Sequence, residues 1–143
     1  FEMAKELFST EMINTGGREG KVVSPSGKSE FTIKKPGGSD SESGTNTNPE
    51  QLFAAGYASC FNGALQLMLS NDNVEFNECK TSANVSLNDY AEGDDKDLRI
   101  AVTLKSEIDS LDEAKTKEYM EKAHAFCPYS KAIDGNVDVE LTV

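Results

Sequence analysis

The chain has no tryptophan, one histidine and only three cysteines among its 143 residues. Three thiols are too few for the dense disulfide framework of small secreted domains, so they are left as reactive or simply buried groups. With His124 as the sole histidine, His124-x-x-Cys127 is at most half of a tetrahedral metal site, and a hydrogen-bonded core or helix-end imidazole is the plainer reading. Basic residues are scarce too: 14 Lys and Arg against 25 Asp and Glu leave a net charge of −11, which repels phosphate backbones and anionic membrane surfaces and argues against nucleic-acid partners. No apolar run approaches the roughly 18 residues of a membrane span, and no basic stretch followed by an apolar one opens the chain. A cytoplasmic protein without a membrane partner is the expectation. Phe1 and Glu2 precede Met3 and read as an addition ahead of a natural start, which the intact mass of native protein would check.

What is present suits a single domain over residues 1–143. A charged fraction of 27% and a mean hydropathy of −0.50 leave little apolar material for a thick core, so part of the core is expected from a partner subunit. Much of the acid lies between Glu75 and Asp97; the spacing around Gly93 is not that of a calcium loop, and a solvated face is the reading.

From Leu7 to Ile33 short β-prone runs alternate with turn chemistry, Gly16-Gly17 and Ser24-Pro25-Ser26-Gly27, as in an antiparallel meander. Residues 36–48 carry no apolar side chain and read as loop. Asn48-Pro49-Glu50 has the order of a helix start: cap, proline at the first position, then an acid at the positive end of the dipole. The apolar pattern runs on to Leu69 and covers most of the circumference, which predicts a central buried helix. Val74–Tyr90 and Leu98–Ile108 alternate as strands, Ser110–Ala125 is a second helix stopped at Cys127-Pro128, and Val137–Val143 is a last strand. The class is α+β, antiparallel sheets around a central helix.

Cys60 lies in the apolar run Leu52-Phe-Ala-Ala-Gly-Tyr-Ala-Ser-Cys-Phe-Asn-Gly-Ala-Leu. Such surroundings suit a packing thiol; a reactive one needs a cation or a helix N-terminus nearby to hold it ionised. Cys127 stands where a helix must end, with its side chain free to face a cavity. Cys79, in a polar strand context, has no thiol or histidine near it in sequence. Arg18, in Thr15-Gly16-Gly17-Arg18-Glu19-Gly20, is a surface turn arginine whose flanking glycines also permit close approach.

Asn48-Pro-Glu-Gln-Leu-Phe-Ala-Ala-Gly-Tyr-Ala-Ser-Cys60-Phe-Asn-Gly-Ala-Leu65 and Ala123-His-Ala-Phe-Cys127-Pro-Tyr-Ser-Lys-Ala-Ile-Asp-Gly-Asn136 resemble the two signature segments of the organic hydroperoxide resistance (Ohr) proteins, a branch of the OsmC/Ohr superfamily. Thr15-Gly-Gly-Arg18-Glu-Gly20 resembles a third. One departure is Gly44-Thr-Asn-Thr-Asn-Pro-Glu50, two residues longer than the usual family pattern.

The resemblance implies an intertwined homodimer with sites at the subunit interface. Cys60 would attack the peroxide, Cys127 would resolve the oxidised sulfur as a disulfide, and Arg18 and Glu50 would assist. The reductant would be an external dihydrolipoyl group on a lipoylated protein, with no metal or cofactor bound. An organic hydroperoxide would be the substrate, and Leu52, Phe53, Phe61, Phe126 and Tyr129 would line its pocket. Glu50 and Cys60 are ten positions apart; on one straight helix they would be about 15 Å apart along the axis and roughly 80° apart in rotation. One guanidinium reaching both requires a bend near residues 55–59, with Gly56 best able to absorb it. A Cys60/Cys127/His124 metal site and a non-catalytic lipid- or acyl-binding module are the alternatives.

Overall fold

The computed structural model describes residues 4–143; Phe1 and Glu2 lie outside them. The chain divides into two units, residues 1–49 and 50–143.

In the first unit, strands β1 (Ile13–Thr15), β2 (Lys21–Val23), β3 (Glu30–Ile33) and β4 (Asn46–Thr47) form one sheet in that order. The meander is antiparallel as expected, with Ile13 opposite Val23 and Val22 opposite Phe31. β4 adds in parallel to β3, pairing Ile33 with Thr47, so the end of the stretch read as loop is a short strand. Its backbone takes up exposed ladder groups, the Lys34 N–H donating to the Thr47 carbonyl at 2.9 Å. A strand without apolar side chains leaves no periodic signal.

The second unit is built on one helix, α1 (Pro49–Asn71), followed by β5 (Cys79–Asp89), β6 (Leu98–Ile108), α2 (Glu113–Phe126), α3 (Pro128–Ile133) and β7 (Val139–Thr142). β5 and β6 form an antiparallel hairpin from Cys79 opposite Ile108 to Asp89 opposite Leu98, and β7 joins β6 in parallel. Both sheets are therefore mixed rather than purely antiparallel. β5 begins five residues later than the sequence pattern predicts, because the Asp109 carboxylate accepts the Asn77 and Glu78 N–H groups, each at 3.0 Å, and holds that segment outside the ladder.

α1 buries one stripe, Tyr57, Phe61, Ala64, Leu65 and Leu69, against Val102, Leu104 and Ile108 of β6 and Tyr119, Met120 and Ala123 of α2. These recur at three- and four-residue steps, so a single face makes the core. Leu67, off that face, is exposed. By length and composition α1 would pass as a membrane span, but Tyr57, Phe61, Leu65 and Leu69 are packed inside the protein. α2 starts later than predicted because Asp112 caps it, accepting the Lys115 N–H at 2.8 Å.

Candidate active site

The break after α2 places the first functional atom. Pro128 cannot supply an N–H to continue the helix, and Cys127 leaves it at φ −58°, ψ 125°. The same proline is well suited to the first position of a new helix, and α3 starts there. Cys127 is thus a corner between two helices, with its side chain turned into the core and no solvent exposure. Opposite it stands Cys60, half-buried on α1, and the Cys127 Sγ–H donates to Cys60 Sγ at 3.4 Å.

Two influences act on Cys60 in opposite directions. Burial raises the thiol above its ordinary range and the Cys127 sulfur adds to that, while the Tyr129 N–H, just past the corner, donates to the sulfur and favours the anion. In this state Cys60 rests as a thiol. The amide that reaches its sulfur, that of Tyr129, belongs to the first turn of α3 and not to α1.

Gly56 does not bend α1, which runs unbroken through residues 55–59. Its missing side chain admits the Tyr129 ring instead: a Cβ there would stand 2.7 Å from the phenol oxygen. With the helix continuous, Glu50 and Cys60 of one chain are separated by about 15 Å along the axis, beyond the reach of one guanidinium. Glu50 is half-buried in the first turn of α1. Arg18 is exposed on a 3-10 turn, Gly17–Glu19, in the first unit. Asn14 braces that turn, its Nδ2 donating to the Gly17 and Lys21 carbonyls at 3.1 and 3.2 Å and its Oδ1 accepting the Gly17 N–H at 3.0 Å. Gly16 and Gly17 carry φ values of 91° and 61°, so the turn depends on glycine there.

Of the residues expected around the substrate, Phe53 and Tyr129 are close, with ring centroids 6.2 Å apart. Leu52 is half-buried on α1. Phe126 and Tyr129 are exposed, and Lys131 Nζ lies 5.6 Å from the Phe126 ring centroid. Phe61 is completely buried beneath Tyr57 and belongs to the core rather than to an open wall.

Sequence reasoning passed over Tyr57 and Ser130. Tyr57 Oη lies 2.6 Å from Ser130 Oγ, and Ser130 Oγ lies 2.8 Å from His124 Nδ1. Burial pushes the Tyr57 phenol up; the Ser130 hydrogen bond counters this, and charge on Cys127 and Cys60 adds to it. Tyr57 and Ser130 stand in the Gly-Tyr and Cys-Pro-Tyr-Ser runs noted in the sequence, but nothing local there pairs them. His124 is the hydrogen-bonded helix-end histidine expected. Among the described residues no three His, Cys, Asp or Glu side chains are placed to hold a metal ion. Cys79, hydrogen-bonded by Asn62 Nδ2 at 3.7 Å, has no part in the pair.

An α+β fold with two thiols meeting between a long helix and a helix corner defines a dithiol protein. Residues 39–142 match the OsmC-like protein family. The chain is 44% identical over 135 residues to the organic hydroperoxide resistance protein OhrB of Bacillus subtilis, covering 94% of this chain and 96% of that one. It is 37% identical over 141 residues to the organic hydroperoxide resistance protein-like 2 of Staphylococcus epidermidis, covering 99% and 98%. The crystal structure of Bacillus subtilis OhrB superposes with a TM-score of 0.84 at 42% identity, over 96% of this chain and 98% of that one. An organic hydroperoxide resistance protein from Elizabethkingia anophelis gives 0.81 at 36% identity, over 98% of each chain. The chain belongs to the OsmC-like family, in its organic hydroperoxide resistance branch.

Proposed function

We propose that the protein is a cytoplasmic thiol peroxidase that reduces organic hydroperoxides to alcohols, its two units working as one domain within a homodimer. The observation that carries this reading is the Cys60–Cys127 pair, 3.4 Å apart, in a chain similar along its whole length to organic hydroperoxide resistance proteins.

The Cys60 thiolate attacks the outer peroxide oxygen, the O–O bond breaks, and the alkoxide leaves and takes a proton as the alcohol. Cys60 is left as a sulfenic acid. Cys127 then displaces its hydroxyl as water, forming a disulfide before further oxidation. A dithiol, an external dihydrolipoyl group on a lipoylated protein, reopens it. Because burial holds Cys60 as a thiol, the first step needs a cation, and Arg18 fills that role: its fixed charge favours the thiolate, and its planar fork donates to the peroxide oxygens as charge develops.

Glu50 orients that guanidinium. Since an unbroken α1 keeps Glu50 from the Cys60 of its own chain, the Glu50 and Cys60 of one site come from different copies of the homodimer. Leu52, Phe53, Phe126 and Tyr129 supply apolar surface for an alkyl or fatty-acyl chain, each buried methylene contributing about 0.8 kcal/mol. Mass spectrometry after one equivalent of an alkyl hydroperoxide tests the reading. A Cys60–Cys127 disulfide is expected. Two free, unoxidised thiols would replace the peroxidase with a binding module.

A further inference from the structure

Cys127 has no solvent exposure, yet any exchange that opens a Cys60–Cys127 disulfide at the half-buried Cys60 leaves its electron pair on Cys127. A buried thiolate is costly unless a proton reaches it. His124 is a titratable group hydrogen-bonded toward this region from the solvent side. Its Nδ1 meets Ser130 Oγ at 2.8 Å, and Ser130 Oγ meets Tyr57 Oη at 2.6 Å. Ser130 is 2% exposed, while Tyr57, fully buried like Cys127, shares its core cluster. At the other end His124 lines a cavity of about 300 Å³ together with Ser130, Asp134, Asn136 and Asp138.

We infer that His124, Ser130 and Tyr57 form a proton path from this cavity to the Cys127 sulfur, used when the disulfide is reduced; the inference rests on the proposed Cys60–Cys127 disulfide. The polarity of the chain is consistent. An imidazolium donates its Nδ1–H to Ser130 Oγ, the Ser130 hydroxyl then donates to the Tyr57 oxygen, and the phenol O–H is left to turn toward the sulfur. In the reaction, a dithiol's thiolate attacks Cys60 Sγ, the S–S bond breaks, and its electron pair goes to Cys127. The phenol gives Cys127 its proton and is refilled through Ser130 from His124, which takes a proton from water in the cavity. The dithiol's second sulfur then displaces Cys60, so the dithiol is oxidised to a disulfide and both protein thiols are restored.

Other charged groups stand around the imidazole. Asp134 and Asp138 bring carboxylates to the same cavity from the segment after α3, Glu121 stands three residues back on α2, and Lys131 of α3 lies over the Phe126 ring. In this scheme Tyr57 hands its proton to the reacting sulfur, and Ser130 and His124 act through it.

The test oxidises the full chain with diamide, which makes a disulfide without peroxide, and follows its reduction by dithiothreitol in stopped flow between pH 6 and 9. Tyr57→Phe and His124→Gln should each slow reduction about tenfold at pH 6, where delivery of a proton limits the step, with the gap to wild type closing as pH rises and reduction no longer needs a delivered proton. His124→Gln leaves the buried Tyr57 in place, so a folding failure of Tyr57→Phe does not remove the test. Slowing by one constant factor at every pH, or none, would overturn the path. A wild-type chain forming no disulfide with diamide would overturn it too. A wild-type chain that forms the disulfide but ignores alkyl hydroperoxides would leave the path standing and remove the peroxidase reading alone.

Discussion

Cys60 and Cys127 are 67 positions apart in the chain, and their sulfurs are 3.4 Å apart in the fold. The two are not equivalent: Cys60 is partly open to solvent and Cys127 is closed off. Cys60→Ser should therefore abolish consumption of an alkyl hydroperoxide. Cys127→Ser should allow about one turnover and then accumulate sulfinic and sulfonic acids at Cys60, visible as added oxygen mass. Sustained turnover in that variant would take Cys127 out of the resolving role. Cys79→Ser should leave activity intact.

Arg18→Ala should slow the first oxidation of Cys60 and raise the pH at which that thiol ionises, with a smaller effect on substrate binding. Arg18→Lys keeps the charge but not the fork, so it should also lose most activity. Full activity with lysine would show that charge alone suffices and would remove the geometric role given to Glu50.

Mixing tests the two-copy site. Glu50→Gln and Cys60→Ser chains, each inactive alone, should recover about a quarter of wild-type activity when co-expressed, because half the dimers are mixed and each mixed dimer has one site with both groups intact. No recovery, with mixed dimers shown to form, would mean that one chain supplies both groups and that α1 bends during turnover.

A Gly56→Ala substitution weighs two effects against each other. Alanine favours the helix by about 1 kcal/mol, whereas overpacking costs about 1–3 kcal/mol. The ring met by the new methyl belongs to Tyr129, which is partly exposed and free to shift outward. Stability should change little, while disulfide formation slows because Tyr129 also carries the N–H that reaches Cys60. Chemical denaturation and a peroxide burst measured on one preparation separate the two. A burst at the wild-type rate would rule out this coupling.

Stability should decline on the alkaline side. Burial raises the Cys60 and Cys79 thiols and the Tyr57 phenol, and the hydrogen bond to Asp72 raises Tyr119. A raised acid favours its protonated form in the folded chain. Its contribution is full below the ordinary value, about 8.5 for thiols and about 10 for phenols, and is lost as pH climbs through the folded value. On the acid side Asp40, Asp72 and Asp89 are lowered, chiefly by hydrogen bonds from Lys34, Tyr119 and the Asp97 N–H, and their contributions fade as pH falls below about 4. Urea midpoints of the reduced protein should form a plateau between these limits. Tyr57→Phe should soften the alkaline fall, and a midpoint rising from pH 8 to 10.5 would contradict the scheme.

The sequence was most informative where one physical signal acted alone. Strict alternation fixed β6 at Leu98–Ile108, the observed bounds. It misled where one residue type serves two purposes. Pro128 ends α2 and also begins α3, and only the ending was legible. Gly56 permits a bend but is used for close approach by Tyr129. Cys60 and Cys127 were singled out as a pair through family resemblance, whereas Tyr57 and Ser130, 73 positions apart, meet only through the packing of α1 against α3.

Cys127 sits at a helix corner, and Cys60 midway along the core helix. A covalent bond between them would close a loop of about 67 residues and remove on the order of 4 kcal/mol of chain entropy from the unfolded ensemble. The peroxide-spent form would then be the more heat-resistant one. Exposure to oxidant would harden the molecule, and each reduction would return it to the softer state, in which it is ready to react and easier to unfold.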